Sequence, residues 1–302
     1  MKNERRKIFR TQSGLSLIEL MVAITLGLFL LAGVINLFVA SRQSYQTQEA
    51  LARMQEAGRF SMDFITQDLR RAGYWGGNAD VSTLGPTPGA SCAGTDWGQM
   101  VRQRVFGLDD TAAGYACISG HLRGDVVVAR YAEPFEEVPT GSALYLRSSL
   151  FEAQVMQGNA ASTVLDEPQW IRPLAARAYF VRNSGRTCGG QAIPSLWLVQ
   201  LGANGQPADP VELVSGVENL QVQWGVDDGA GNVDTYVDTP ADWDSVIAAR
   251  VWILARSECP EAGHTDDRTY QMGNDDYSEN DNYRRQLYVS TVRLRNRAGG
   301  EL

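Results

Sequence analysis

The sequence predicts an α+β protein in which one long N-terminal helix is followed by a β-rich domain. No proline occurs before Pro86, and residues 15–40 contain one ionisable side chain, Glu19. After residue 77 the sequence changes to short apolar and β-branched runs between clusters of Gly, Pro, Asn and Asp. Such runs and clusters are typical of strands and turns. The chain has 302 residues, enough to build a substantial hydrophobic core.

Charge is distributed unevenly along the chain. The formal net charge is −8, yet the first 14 residues are basic. Their charged side chains are Lys2, Arg5, Arg6, Lys7 and Arg10, against Glu4 alone. The remainder is therefore strongly acidic, which argues against a nucleic-acid partner because phosphate binding requires a basic surface.

The first element is a membrane-spanning helix over residues 15–40. Its apolar run is long enough to cross the hydrocarbon core of a bilayer. The basic cluster precedes the run, and Arg42 is the first cation after it. The positive-inside rule then predicts a single-pass membrane protein with a cytoplasmic N-terminus and an exported body.

A cleaved secretory signal is one alternative for this segment. Its apolar run is longer than a usual signal core, and no Ala-x-Ala cleavage site followed by a change of composition ends it. The pattern changes before the run, at Ser13-Gly14-Leu15-Ser16-Leu17-Ile18-Glu19. This stretch closely resembles the type III (prepilin) signal of type IV pilins and type II secretion pseudopilins.

That resemblance implies removal of residues 1–14 as a leader peptide. Prepilin peptidase would cut after Gly14 and methylate the new amino terminus of Leu15, where Phe is usual in the family. A carboxylate inside an apolar span costs on the order of 3 kcal/mol at the helix centre and less near an end, so Glu19 is expected to have a cationic partner. The resemblance implies that this partner is the amine of a neighbouring subunit and that the pair sets the register of a growing fibre. An uncleaved signal anchor with a tolerated Glu is the alternative.

The helix is predicted to continue through residues 41–77 as the periplasmic half of the same element. Apolar residues recur at roughly helical spacing from Leu51 to Leu69, and the first break is Gly73-Tyr74-Trp75-Gly76-Gly77. This predicts one helix of about 58 residues, at 1.5 Å per residue. The apolar spacing is too irregular for a long coiled coil, so a single face is expected to pack against the domain.

Residues 78–302 are predicted to form the β-rich periplasmic domain. Leu220, Val222, Trp224 and Val226 alternate with Gln221, Gln223 and Gly225, which predicts a half-buried strand. The run Val251–Leu254 is apolar on both faces and predicts a central strand. The candidate strands are Asp125–Tyr131, Ala143–Arg147, Ala178–Arg182, Ser195–Leu201, Val211–Val214, Val217–Val226, Ala248–Arg256 and Gln286–Arg295.

Later segments resemble the PilW family of minor pilins. They are residues 68–76, 213–222, 224–227, 250–257 and 292–296, in that order along the chain. The resemblance implies a pilin-like fold in which the long helix packs on antiparallel sheets. It also implies a non-enzymatic minor pilin that acts with other minor pilins to prime pilus assembly and form the tip complex, in motility and adhesion.

The partners implied are prepilin peptidase, other minor pilins, the major pilin, the inner membrane and a tip adhesin. Two other functions stay open. One is a minor pseudopilin of a type II secretion system, since J-type minor pseudopilins are the nearest secretion relatives. The other is a membrane-anchored adhesin or sensor.

Four cysteines, Cys92, Cys117, Cys188 and Cys259, all lie in the part assigned to the periplasm, where disulfides persist. Four cysteines allow three pairings. Cys92–Cys117 and Cys188–Cys259 are favoured, because the first closes a local excursion and the second ties two strand-flanking loops. A metal site is not expected, since there is no Cys-x-x-Cys.

Two acidic segments remain. Residues 227–234 contain glycines and side-chain oxygens that could bind calcium. They lack the residue order of an EF-hand, so they are expected to form a hairpin connection. Residues 266–281 are expected to form a solvated, mobile insertion or a partner-binding surface. No phosphate-binding loop and no Gly-x-Ser-x-Gly motif occurs, so neither an enzyme nor a cofactor is predicted.

Overall fold

The computed structural model describes residues 14, 16–77, 81–89, 91–160 and 168–296. Helix α1 spans Leu17–Arg71, and a short helix α2 spans Asp96–Gln99. The strands are β1 (Val105–Leu108), β2 (His121–Ala132), β3 (Leu144–Ser148), β4 (Ala153–Gln157), β5 (Trp170–Cys188), β6 (Gln191–Gln200), β7 (Val211–Ser215), β8 (Val217–Asp227), β9 (Val233–Val237), β10 (Val246–Arg256), β11 (Thr269–Met272), β12 (Asp275–Ser278) and β13 (Arg285–Arg293). One long helix and antiparallel strands confirm the predicted fold class.

The chain divides into two compact units, Met1–Glu49 and Ala50–Leu302. In the first unit the described residues after Ser16 form the apolar part of α1. The second unit contains the remainder of α1 and all thirteen strands.

Within the second unit, α1 packs one face against the sheets. Its buried residues recur every three or four positions, as an amphipathic helix requires. They are Met54, Ala57, Gly58, Ser61, Ile65, Thr66, Asp68 and Leu69. The helix ends where Gly73 takes a φ of +80° and donates its N–H to the Arg130 carbonyl at 2.9 Å. A side chain at Gly73 would also meet the Asn296 carbonyl oxygen, so glycine is required at this turn.

The first sheet has seven antiparallel strands. Its order is β1-β2-β5-β3-β4, and β6 joins β5 to β7. The 19-residue strand β5 organises it, because β2 pairs with it on one edge and β3 and β6 pair with successive parts of the other.

The second sheet has four antiparallel strands in the order β13-β10-β8-β9. Its inner face meets the first sheet and α1 in the largest core cluster, which includes Ile65, Leu69, Val127, Tyr179, Leu196, Trp224, Val251 and Val292. Trp97, Phe106 and Tyr115 cover the other face of the first sheet. The hairpin β11–β12 covers the outer face of the second sheet through Tyr270 and Met272, which pack on Trp252 and Leu254.

One strand differs from its predicted burial. We expected β8 to be half buried, but Gln221 and Gln223 are only 4% and 6% exposed. Gln221 Nε2 donates to Asp110 Oδ1 at 2.8 Å, and Gln223 Nε2 donates to Asp238 Oδ1 at 3.0 Å. Polar side chains can line a buried face when their amides are paired, so the alternating pattern alone did not reveal the covering layer.

All eight candidate strands occur, with bounds that differ by a few residues or, for β5, by more. The sequence analysis missed the short strands β1, β4, β9, β11 and β12, each of four or five residues. Strands of this length carry too few residues for a clear alternating pattern.

Candidate processing and assembly site

The predicted cleavage motif lies at the start of α1. Gly14 is exposed, and nothing lies within 4 Å of where its Cβ would be. Ser16 caps the helix, since its Oγ accepts the Glu19 N–H at 3.2 Å and its carbonyl accepts the Leu20 N–H at 3.1 Å. Leu15, the predicted N-methylation site, lies outside the described residues, as does the leader before Gly14. The exposed Gly14 thus lies two positions before Ser16, which caps α1.

Glu19 is exposed on an apolar helical surface. The large hydrophobic side chains from Leu17 to Val39 are 46–80% exposed. Among the described residues, α1 is the one helix long and apolar enough to cross a membrane. Such a surface requires lipid or other apolar helices around it, because exposing it to water is unfavourable.

The C-terminal half of α1 is bound to the first sheet through Asp68. This carboxylate is 1% exposed and accepts hydrogen bonds from the hydroxyls of Tyr131, at 2.7 Å, and Tyr179. Arg177 Nη1 lies 3.1 and 3.2 Å from its two oxygens. Burial, and then the adjacent Asp68 charge, raise the pKa of the Tyr179 phenol, so it stays protonated and donates. Asp68 was not singled out in the sequence analysis, because its partners come from two strands far away in the chain.

A second contact, between α1 and β13, lies near Met54 and Gly58. The Tyr288 hydroxyl donates to the Met54 carbonyl at 3.4 Å, and its ring occupies the space that a side chain at position 58 would need. Arg53 Nη1 lies 3.8 Å from Glu258 Oε2. Gly58 therefore allows α1 to approach β13 closely.

The cysteines are paired as Cys92–Cys117 and Cys188–Cys259, the pairs favoured from the sequence. Their Cα–Cα distances are 5.4 and 5.1 Å. The second disulfide joins the end of β5 to the loop after β10. Because Glu258 precedes Cys259 in that loop, the disulfide also restrains a residue that contacts α1.

The glycine-rich loop of residues 227–234 forms the hairpin connection between β8 and β9. Asp227 Oδ1 accepts the N–H groups of Gly229 and Gly231, at 3.1 and 2.8 Å. Asp228 Oδ1 accepts those of Ala230 and Asn232, at 2.7 and 3.2 Å, and these bonds lower the pKa of Asp228. The two carboxylates thus accept hydrogen bonds from backbone N–H groups of their own loop.

Residues 266–281, expected to form a solvated, mobile insertion, contain the paired hairpin β11–β12. Many of these residues are exposed, as expected of a solvated segment, but Asp266 is 1% exposed. The buried Arg285 binds Glu218 Oε2, lies 3.3 Å from Asp266 Oδ2 and 2.7 Å from Asp281 Oδ2. The sequence shows the acidic residues, but it does not show that Arg285, next to the insertion, is buried among them.

One acidic group was missed by the sequence analysis. Carboxylate oxygens of the adjacent Asp109 and Asp110 and of the distant Asp275 lie within 4.8 Å of one another. Burial, then the charges of Asp110 and Asp109, raise the pKa of Asp275. Exposed acidic groups of this kind are common without a bound ion.

Two models of known protein families match this chain, one near its N-terminus and one in its C-terminal part. Residues 9–35 match the model of the prokaryotic N-terminal methylation motif, and residues 178–296 match that of the type IV pilus-assembly protein W (PilW) family. A search of curated protein sequences finds no match. Among solved structures, the type IV-like pilin TTHA1219 from Thermus thermophilus aligns with 82% of this chain and 98% of its own, at 13% identity and a TM-score of 0.35.

Proposed function

Since the chain is a type IV pilin-like protein with a PilW region and a prepilin-type methylation motif, we propose that it is a minor pilin that primes pilus assembly and forms part of the tip complex. The role is structural and non-enzymatic. Prepilin peptidase cleaves the chain after Gly14, and the mature protein joins other minor pilins and the major pilin.

The observation that carries this proposal is the order of features along α1. An exposed Gly14 precedes a capped helix start, Glu19 follows within the first turn, and an exposed apolar surface continues from there. Cleavage would create an amine at Leu15, four positions before Glu19 in the sequence. That amine in a neighbouring subunit would neutralise Glu19 within the apolar environment.

The proposed topology follows from the charges and disulfides. The basic leader stays in the cytoplasm, residues 15–40 cross the inner membrane, and residues 41–77 continue α1 into the periplasm. Residues 78–302 form the periplasmic domain, whose two disulfides suit an oxidising compartment. After assembly the protein lies in the pilus, at its tip, where a tip adhesin is a further partner.

The proposal is tested by cross-linking intact cells that carry the tagged full-length protein, followed by purification and mass spectrometry. Other proteins with prepilin-type signals, including the pilus subunits, should be recovered. A deletion strain should lose surface pili and twitching motility. Loss of enzyme secretion with normal pili would instead identify a pseudopilin of a type II system. An uncleaved chain that recovers no such proteins would contradict the proposal and favour an anchored adhesin or sensor.

A further inference from the structure

Strand β13 forms an outer edge of the second sheet. Its pairing with β10 runs from Arg285 to Arg293 without a shift in register. The Leu294 N–H donates to the Ile247 carbonyl in the same register, so even-numbered residues of β13 are those bonded to β10. Leu287, Val289 and Thr291 therefore direct their N–H and C=O groups away from the sheet. In the described part of the chain these groups have no hydrogen-bond partner.

This edge lacks the features that usually prevent strand addition. Natural edge strands are protected by charged residues, proline, bulges, short length or a covering element. Residues 286–292 contain no charged residue, proline or glycine, and the strand has no bulge. At nine residues, β13 is longer than the other described edge strands β1, β4, β7 and β9. Val289 is 54% exposed on it.

The other edge of the same sheet differs. β9 pairs with β8 only from Trp224 to Asp227 and, at five residues, is the shorter edge strand. Beyond that pairing, Oδ2 of the buried Asp125 accepts the Val222 N–H at 2.6 Å. That N–H therefore has a partner, whereas the outward N–H groups of Leu287, Val289 and Thr291 have none in the described part of the chain.

Charges at the ends of β13 indicate which chain would pair with it. In antiparallel self-pairing centred on Val289, Arg293 of one copy would face Arg285 of the other. Like charges directly opposite are destabilising, and the carboxylates around Arg285 are already engaged within the chain. Arg293 and Arg295 are exposed at the far end. These features favour pairing of β13 with a different chain that has an acidic residue beside Arg293.

We propose that the edge Leu287–Arg293 binds an extended segment of a different subunit, which adds a strand to the second sheet. The segment carries alternating apolar residues, which pack beside Val289, and a carboxylate opposite Arg293. Main-chain hydrogen bonds would provide the affinity, and these side chains the selectivity. The inference rests on the proposed function, because it takes the partner to be another subunit with a prepilin-type signal.

The test compares two full-length variants in the cross-linking experiment. Val289→Pro removes an outward N–H that bonds nothing within the described chain, whereas the control Val289→Ile keeps that N–H and an apolar, β-branched side chain. We expect Val289→Pro to reduce recovery of at least one such subunit tenfold or more, and Val289→Ile to match the wild type. Arg293→Glu should reduce the same subunit several-fold.

Equal recovery by Val289→Pro and the wild type would overturn the docking inference while leaving the pilin function intact. If the wild type itself recovers no such subunit, the proposed function fails first. Hydrogen exchange of the wild-type protein gives a measurement that does not depend on folding of the variant. The amides of Leu287, Val289 and Thr291 should exchange at least tenfold more slowly in the purified complex than in the isolated protein, and unchanged exchange would contradict strand addition.

Discussion

Asp68 on α1 and Arg177 on β5 form an ion pair with a closest approach of 3.1 Å, although 109 residues separate them. The carboxylate is buried, whereas the guanidinium is partly exposed and also lies 3.5 Å from Glu133. Two tyrosine hydroxyls donate to the same carboxylate, and together these contacts connect α1 to the first sheet.

Replacing Asp68 with Asn should destabilise the domain. The variant loses the charge that pairs with Arg177 and presents an amide N–H₂ to hydroxyl donors. We expect the free energy of unfolding to fall by about 2–3 kcal/mol. This is less than the roughly 3–5 kcal/mol lost when a fully buried ion pair is broken, because Arg177 would still pair with Glu133. Thermal unfolding of the detergent-solubilised protein measures this. The control Asp63→Asn, on the exposed face of α1, should change it by less than about 0.5 kcal/mol.

Replacing Gly58 with Ala tests the close approach of α1 to β13. A Cβ at this position would lie 2.1 Å from Tyr288 Cε2, so the ring would have to move. Alanine gains about 1 kcal/mol in helix propensity, and overpacking costs typically 1–3 kcal/mol. The expected result is a lower unfolding temperature. Gly33→Ala is the control, because no atom lies within 4 Å of its added Cβ; equal behaviour of the two variants would contradict the contact.

The charge cluster around Arg285 predicts an acid-dependent loss of stability. Hydrogen bonds from Arg285 lower the pKa of Asp281 below its usual value. Because the folded-state pKa is lowered, the stabilisation is complete above the unfolded pKa of about 4 and disappears as the pH falls through the folded-state value.

Asp281→Asn should therefore be about 1–2 kcal/mol less stable than the wild type at pH 7. The difference should shrink as the pH falls below about 4, when the wild-type carboxylate also becomes neutral. Denaturant unfolding across this pH range measures it. Asp267→Asn, an exposed neighbour, should follow the wild type at every pH, and a pH-independent deficit in Asp281→Asn would exclude the ionic explanation.

Replacing Glu19 with Ala should separate processing from assembly. The side chain lies beyond the cleavage bond, so the leader should still be removed, but the mature helix would lack its carboxylate partner for the amine. We expect at least a tenfold loss of the protein from sheared pili, with normal amounts in the membrane. Glu56→Ala, on the exposed face of α1, should be incorporated normally, and equal incorporation of both variants would contradict a role for Glu19.

Gly14→Arg should have the complementary effect. A large charged side chain directly before the predicted scissile bond should block the peptidase, so that intact-mass measurement finds the full-length chain with its leader. Complete removal of residues 1–14 in this variant would show that cleavage does not require Gly14, and cleavage at another bond would contradict the predicted site.

The early part of the protein could be predicted from sequence because its signals are local. A continuous apolar run and a glycine-rich end are sufficient to indicate one long helix, although α1 ends at Arg71, before the predicted limit of residue 77. The pairing of the cysteines was favoured because the first pair closes a local excursion and the second ties two strand-flanking loops.

Burial across the sheets could not be predicted in this way. Gln221 and Gln223 follow the pattern of a solvent-facing row, and residues 266–281 have the composition of a solvated loop. The first interpretation was wrong because a second layer covers that face, and the second did not show that the segment itself belongs to this layer as the hairpin β11–β12.

The sequence by itself determined the long apolar helix, the match to the N-terminal methylation motif and the β-rich class of the domain, since each depends on neighbouring residues and their period. Only the tertiary structure decided which carboxylates are buried, how Asp68 and Arg285 are paired, and which edge of the second sheet stays open. Those properties depend on contacts between distant segments, whose energies are set by distance and desolvation, and neither quantity is present in the order of residues.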